Sequence, residues 1–186
     1  MKKLSESVWS DIHKRSNGDQ LRKEDELTNI RYLKPLDMGG SVLWADNDLE
    51  LKDGETYFTF DEVFELINNS DWRLPTLEEV AEFDSLYDRG CFHSDSRKFY
   101  FRYHGNILSF YKKGFIYTTA SDKPIDKEYY YCWTLSIYDY NSQFVHILTF
   151  DNDHPIHTPL NSDDVNSSVV QDTHNGKMCV RLVKDK

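Results

Sequence analysis

Two threonines, each followed three residues later by a glutamate, constrain this 186-residue chain more than any other feature. Thr59 and Glu62 open "TFDEVFELINNS", and Thr76 and Glu79 open "TLEEVAEF". Both pairs have the spacing of a capping box, in which the hydroxyl and the carboxylate each take up an orphan N–H at a helix start. Val63, Phe64, Leu66 and Ile67 then recur at helical spacing until Asn68-Asn69-Ser70 ends the run. Leu77, Val80, Ala81 and Phe83 mark the buried stripe of the second helix. Between the helices lies Trp72-Arg73-Leu74-Pro75. Pro75 fixes an extended entry and keeps Leu74 out of helical geometry. Trp72 and Leu74 are therefore expected to face a core while Arg73 points the other way. This elbow reads as the joint that seats a scaffold, because a catalytic group needs an activating partner and none adjoins it.

Beyond residue 90 the pattern changes. "KFYFRYHGNILSFYKKGFIYTTA" and "YYYCWTLSIYDYNSQFVHILTF" are aromatic and β-branched, with alternation interrupted by turn residues. "HGN", "KKG" and "YNSQ" read as hairpin or loop turns. "DNDHPIHTPLNSDDVNSSVVQDTHNGK" reads as a long polar excursion, and "MCVRLVKDK" as a closing strand. "SVLWA", residues 41–45, is an early strand after Gly39-Gly40. Two early helices with later antiparallel strands make an α+β domain over residues 35–186. No internal repeat of useful period is present.

Residues 1–34 are a different kind of surface. They hold eight Lys/Arg and six Asp/Glu, whereas the remainder holds 14 and 26, and the whole chain carries −10. That balance argues against polyanion binding by the whole molecule, so no nucleic-acid partner is expected. Val8, Trp9 and Ile12 share one face of a short helix that Ser5 caps and Asn17-Gly18 stops. Such a helix is too short to stand alone in water, so its apolar face is expected to dock on its own body or on a protein partner, homo-oligomers included. No apolar run approaches the ~20 residues of a spanning helix, and acidic residues fall where a signal peptide needs apolar ones. A cytoplasmic or assembly-borne location is the expectation.

Trp44 in "SVLWA", the elbow "DWRLPTLEE", "CWTLS" at 132–136 and "CVRLVKD" near the end occur in an order that resembles the Fibrobacter succinogenes-type paralogous domain and the related DUF1566 family. The resemblance spans roughly residues 36–185. It implies a C-type-lectin-like fold in which "SVLWA" and "MCVRLVK" pair and two helices flank the sheet. It also implies that Thr118-Thr119 and "CWTLS" lie in the central sheet, with ligand contacts in an irregular loop region at 151–176. Two departures stand out: Cys132-Trp133-Thr134 replaces the usual Trp-Ser-Ser, and glycine before it is sparse. The first segment resembles N-terminal segments of proteins of gut Bacteroidetes and their phages, which implies a shared docking tag in a virion or bacterial assembly.

Two chemistries are weighed against this. An oxidase of the formylglycine-generating type, which has a similar elbow, needs a late, closely placed cysteine pair that binds copper as thiolates. Cys132 and Cys179 are the late cysteines, each in an apolar strand context that favours a buried thiol. No catalytic residue is assigned. Asp151, Asp153, His154 and His157 offer metal-ligand types in one loop, but their spacing selects no ion, so neither metal nor cofactor is assigned. "DNDLELKDGE" fails as an EF-hand because no glycine stands sixth. Residues 129–176 have the Tyr, Asn, Ser and Asp mixture of binding loops. The candidate ligand residues, for a protein or surface glycan, are Tyr138, Tyr140, Asn141, Asp151, Asp153, His154 and His157.

Overall fold

The computed structural model describes residues 28–88, 90–117, 122–137, 144–150, 170–172 and 176–186. Both capping boxes form. The Glu62 N–H donates to Thr59 Oγ1 and the Thr59 N–H to Glu62 Oε2, starting α1 (Phe60–Ile67). The same reciprocal pair between Thr76 and Glu79 starts α2 (Leu77–Asp88). The elbow behaves as its residues dictate: Trp72 and Leu74 are buried, and Arg73 turns outward.

Eleven short strands occur among the described residues. They are β1 (Pro35–Asp37), β2 (Val42–Ala45), β3 (Phe92–Ser94), β4 (Lys98–Tyr103), β5 (Asn106–Tyr111), β6 (Ile116–Tyr117), β7 (Tyr130–Ile137), β8 (Phe144–Phe150), β9 (Val170–Asp172), β10 (Gly176–Lys177) and β11 (Val183–Asp185). They pair antiparallel as β1-β2-β11, β3-β4-β5, β7-β8-β9 and β10-β6. The chain is thus a small α+β protein, with its early strand β2 against its last strand β11 (Trp44 opposite Val183). Among the described residues no helix is long and apolar enough to cross a membrane.

Strand periodicity explains how the core is divided. Successive side chains on a strand point to opposite faces, so a strand covered on both sides fills two layers alternately. Trp44, Cys132, Leu148, Cys179 and Val183 enter one cluster with Val80, Phe83 and Leu86 of α2 and Phe99, Phe101, Leu108 and Phe110 of β4–β5. Their neighbours Ala45, Trp133, Ile147, Met178, Val180 and Leu182 enter a second cluster with Val63 and Ile67 of α1, Trp72 and Leu74. This two-sided burial is why "SVLWA", "YCWTL" and "MCVRLV" read as nearly continuous apolar runs. The chain is already packed at Thr28, which bridges Leu51, and Ile30 and Leu33 are buried in the second cluster.

His104-Gly105 turns the β4–β5 hairpin with positive φ at both residues, as a two-residue primed turn requires. Lys112-Lys113-Gly114 is a loop turn: Gly114 leads into a parallel bridge with Tyr130. The polar stretch after residue 150 is not wholly irregular. Val170–Asp172 pairs with Phe144–His146, because the outer edge of β8 offers unpaired backbone groups to a β-branched segment. The closing run is regular only at Val183–Asp185. Before it, Met178 pairs with Phe58 and Cys179 with Cys132, and the carbonyls of Val180 and Leu182 accept from Leu49 and Ala45.

Candidate functional site

The elbow is occupied by the fold. The Arg73 backbone exchanges two 2.8 Å hydrogen bonds with Val183, and the Pro75 carbonyl accepts from Leu135 at 2.8 Å. The guanidinium forks onto Glu79 at 2.8 and 2.6 Å and reaches Asp185 at 2.8 Å. The hydrogen bonds that Arg73 donates to Glu79, joined by the one to Asp185, hold its pKa above the ordinary value against the opposing pull of burial. Glu79 therefore caps α2 and holds Arg73 at once, and Arg73 in turn ties the elbow to the last strand.

A second polar constellation lies inside the first cluster. Arg181, 1 % exposed, donates Nε to Asp48 Oδ1 at 3.0 Å, Nη1 to the Ala45 carbonyl at 2.9 Å and Nη2 to the Ser109 carbonyl at 2.6 Å. Tyr130 donates its hydroxyl to the same Asp48 oxygen at 2.8 Å, and Lys113 Nζ stands 3.6 Å from Oδ2. The guanidinium also lies over the Phe110 ring at 4.7 Å. Burial pulls the Arg181 pKa down, but the Asp48 charge and the Tyr130 hydroxyl outweigh it and the net shift is upward. Burial, reinforced by Asp48, pushes the Tyr130 hydroxyl far up, so it stays a donor. The Arg181 signal was present in the sequence: an arginine within "MCVRLV", a strand covered on both faces, needs a buried carboxylate.

Cys132 and Cys179 are directly bridged in parallel register, both buried and both free thiols. Cys132 Sγ accepts the Arg181 N–H at 3.0 Å. Burial pushes the Cys132 thiol up to about 12 and raises Cys179 in the same direction, with Asp48 adding to both. Neutral thiols are poor nucleophiles and poor ligands at physiological pH. Among the described residues no group of three or more His, Cys, Asp or Glu is arranged to hold a metal.

Asp48, only 7 % exposed, shows its one open edge in a surface cleft of about 280 Å³. Tyr32, Asn47, Glu50, Tyr111 and Lys113 line the walls. Tyr32 is 80 % and Tyr111 45 % exposed, the first lifted outward by the 3₁₀ turn Ile30–Tyr32 and the second at the end of β5. The sequence offers no pattern for this cleft, since its walls come from three separated segments.

The residues expected from the loops and the first segment fall elsewhere. Tyr138, Tyr140 and Asn141 lie between β7 and β8; Asp151, Asp153, His154 and His157 follow β8; Val8, Trp9 and Ile12 precede Thr28. All ten, with Thr118 and Thr119, are outside the described residues. The flanking strand ends are described. The chain enters β8 at Phe144 and leaves at Phe150, six residues later, so the two strand ends that flank the loop groups lie roughly 20 Å apart.

No protein-family model matches the sequence, and comparisons with curated proteins and with solved structures find no match either.

Proposed function

We propose that this chain is a non-catalytic binding or structural module of a bacterial or phage assembly, cytoplasmic or virion-associated, built on a C-type-lectin-like scaffold. Its scaffold supports polar, aromatic loops that recognise a protein or a surface glycan, and its first segment docks it on a protein partner through Val8, Trp9 and Ile12. One observation carries the reading: the most motif-like stretch, Trp72 to Thr76, spends its polar groups on the fold. Arg73 is committed to Glu79, Asp185 and Val183. Recognition is left to the strand connections, where Tyr138, Tyr140, Asn141, Asp151, Asp153, His154 and His157 supply rigid rings and adaptable hydrogen-bonding groups.

The test is capture on glycan arrays and in pull-downs by the full chain. Tyr138→Ala with Tyr140→Ala, and separately Asp153→Ala with His154→Ala, are expected to reduce capture at least tenfold with unchanged thermal stability. Capture that survives both pairs ends the loop reading. Deletion of residues 1–27 is expected to abolish association with the assembly partner while leaving ligand capture intact.

A second reading, the formylglycine-type oxidase, draws on the Cys132–Cys179 bridge, since thiols are the donors a soft copper ion prefers. The residues do not fit a ready thiolate site. Both thiols are buried and held protonated, and one already accepts a backbone N–H. The oxidase reading requires reduced protein to take up one cuprous ion per chain, lost in Cys132→Ala and in Cys179→Ala. Protein that takes up none under reducing conditions removes it.

A further inference from the structure

The net charge of −10 conceals a strong local asymmetry. Residues 91–114 hold five Lys/Arg and one acid, whereas residues 46–55 hold five acids and one lysine. Register places Lys98, Tyr100 and Arg102 of β4 on one face with His93 of β3 and Ile107, Ser109 and Tyr111 of β5. Their neighbours Phe99, Phe101, Leu108 and Phe110 turn inward to the core. None of these seven outward positions carries a carboxylate. The cations are held by the rings: Lys98 Nζ lies 5.2 Å from the Tyr100 centroid and 6.0 Å from that of Tyr111, and the Arg102 guanidinium lies 5.4 Å from Tyr100. Such contacts fix long side chains in place and reduce the entropy lost when a partner arrives.

The acidic stretch is the immediate neighbour of this face. Tyr111 and Lys113 close one side of the cleft whose other walls are Asn47, Asp48 and Glu50, and Tyr32 stands at its mouth. Asn47, Glu50, Asp53 and Glu55 are all exposed. One continuous surface therefore runs from a basic aromatic half, across two exposed tyrosines and a cleft, to an acidic half. A surface with adjacent positive and negative halves is self-complementary about a two-fold axis: the basic half of each copy meets the acidic half of the other. Tyrosines at the centre of such a patch are the residue type that anchors interfaces, with a cleft to receive them.

We propose that this surface is the interface of a symmetric dimer of the chain. Lys98 and Arg102 of each copy face Glu50 and its acidic neighbours on the other, and Tyr32 and Tyr111 lie about the axis, entering the partner's cleft. The interface uses no candidate loop residue, so it stands or falls separately from the loop reading.

Sedimentation of the full chain tests it. Wild type is expected to dimerise in about 50 mM salt and to weaken at least tenfold in about 500 mM, as screening shortens the reach of the exposed charges. K98E/R102E and N47K/E50K are each expected to be monomeric, and Y32A/Y111A to weaken association at least a hundredfold. All these side chains except Lys98 are well exposed, and K98Q/R102Q, expected to give intermediate weakening, guards against a folding artefact. The decisive arm is the equimolar mixture of the two reversal variants, which recreates complementary charges at both contacts and is expected to form a one-to-one heterodimer. A monomeric wild type at low salt, association indifferent to both reversals, a mixture that stays monomeric, or particles larger than two would each overturn the proposal.

Discussion

Gly114 has φ +70°, and the Ile125 carbonyl oxygen stands where the first atom of a side chain would sit. Gly105, at the tip of the β4–β5 hairpin, has φ +88° but open space around it. The two glycines separate two costs that are usually confounded. An alanine at Gly105 meets only the left-handed backbone penalty, about 1–2 kcal/mol. An alanine at Gly114 meets the same penalty and also pushes apart the bridge between Phe115 and Ile125, a further cost of about 1–3 kcal/mol. Urea unfolding of Gly105→Ala and Gly114→Ala is expected to show the second clearly less stable. Equal losses would mean that the Gly114 turn does not pack against Ile125 as described. Both glycines were visible in the sequence as turn residues, but their ranking was not, because Ile125 arrives from a different segment.

At the scale of elements, the elbow and its helix act as one unit through Glu79, whose carboxylate serves Arg73 and the Thr76 N–H together. Thr76→Ala removes a cap and is expected to cost about 1 kcal/mol. Arg73→Lys keeps the charge but loses the planar fork, and about 1–2 kcal/mol with it. A double-mutant cycle of Arg73→Ala and Glu79→Ala should return a coupling of at least ~0.5 kcal/mol, since the two are partners. Ligand capture per folded molecule is expected to stay unchanged in all of them, and a selective loss of capture in Arg73→Lys would make the elbow part of a binding site. These elements were legible because their signals are local: both capping boxes, the proline elbow and the alternating hairpin each follow from neighbouring residues, whereas the pairing of "SVLWA" with the last strand was expected only from the family resemblance. The cleft, the pairing of Val170–Asp172 with β8 and the Cys132–Cys179 bridge were not legible. Each depends on which distant backbone lies alongside, and one strand's composition does not state its partner.

For the whole molecule, the buried Asp48–Arg181 pair ties together parts of the chain that are remote in sequence. Asp48 belongs to the acidic stretch "DNDLELKDGE" and Arg181 to an apolar run, 133 positions apart. Through Ala45, Ser109 and Tyr130 the same guanidinium and carboxylate reach β2, β5 and β7. A buried ion pair with each guanidinium nitrogen engaged adds little over a well-packed apolar replacement, but removing one partner strands the other charge at a cost of about 3–5 kcal/mol. Asp48→Ala and Arg181→Met are each therefore expected to lower the melting temperature by roughly 10 °C. The double variant Asp48→Leu/Arg181→Met is expected to recover much of that loss. Thiol labelling gives an independent readout of the same network, because the Arg181 N–H is held against Cys132 Sγ and both buried thiols share its cluster. In wild type at pH 8, half-buried Cys91 is expected to react first, with Cys132 and Cys179 reacting only as the protein opens. In either single variant those two should label at least tenfold faster, and in the double variant they should slow again. Fast labelling of Cys132 or Cys179 in native wild type would contradict the burial that holds both thiols protonated, and with it the role of this network as an internal brace of the first core layer.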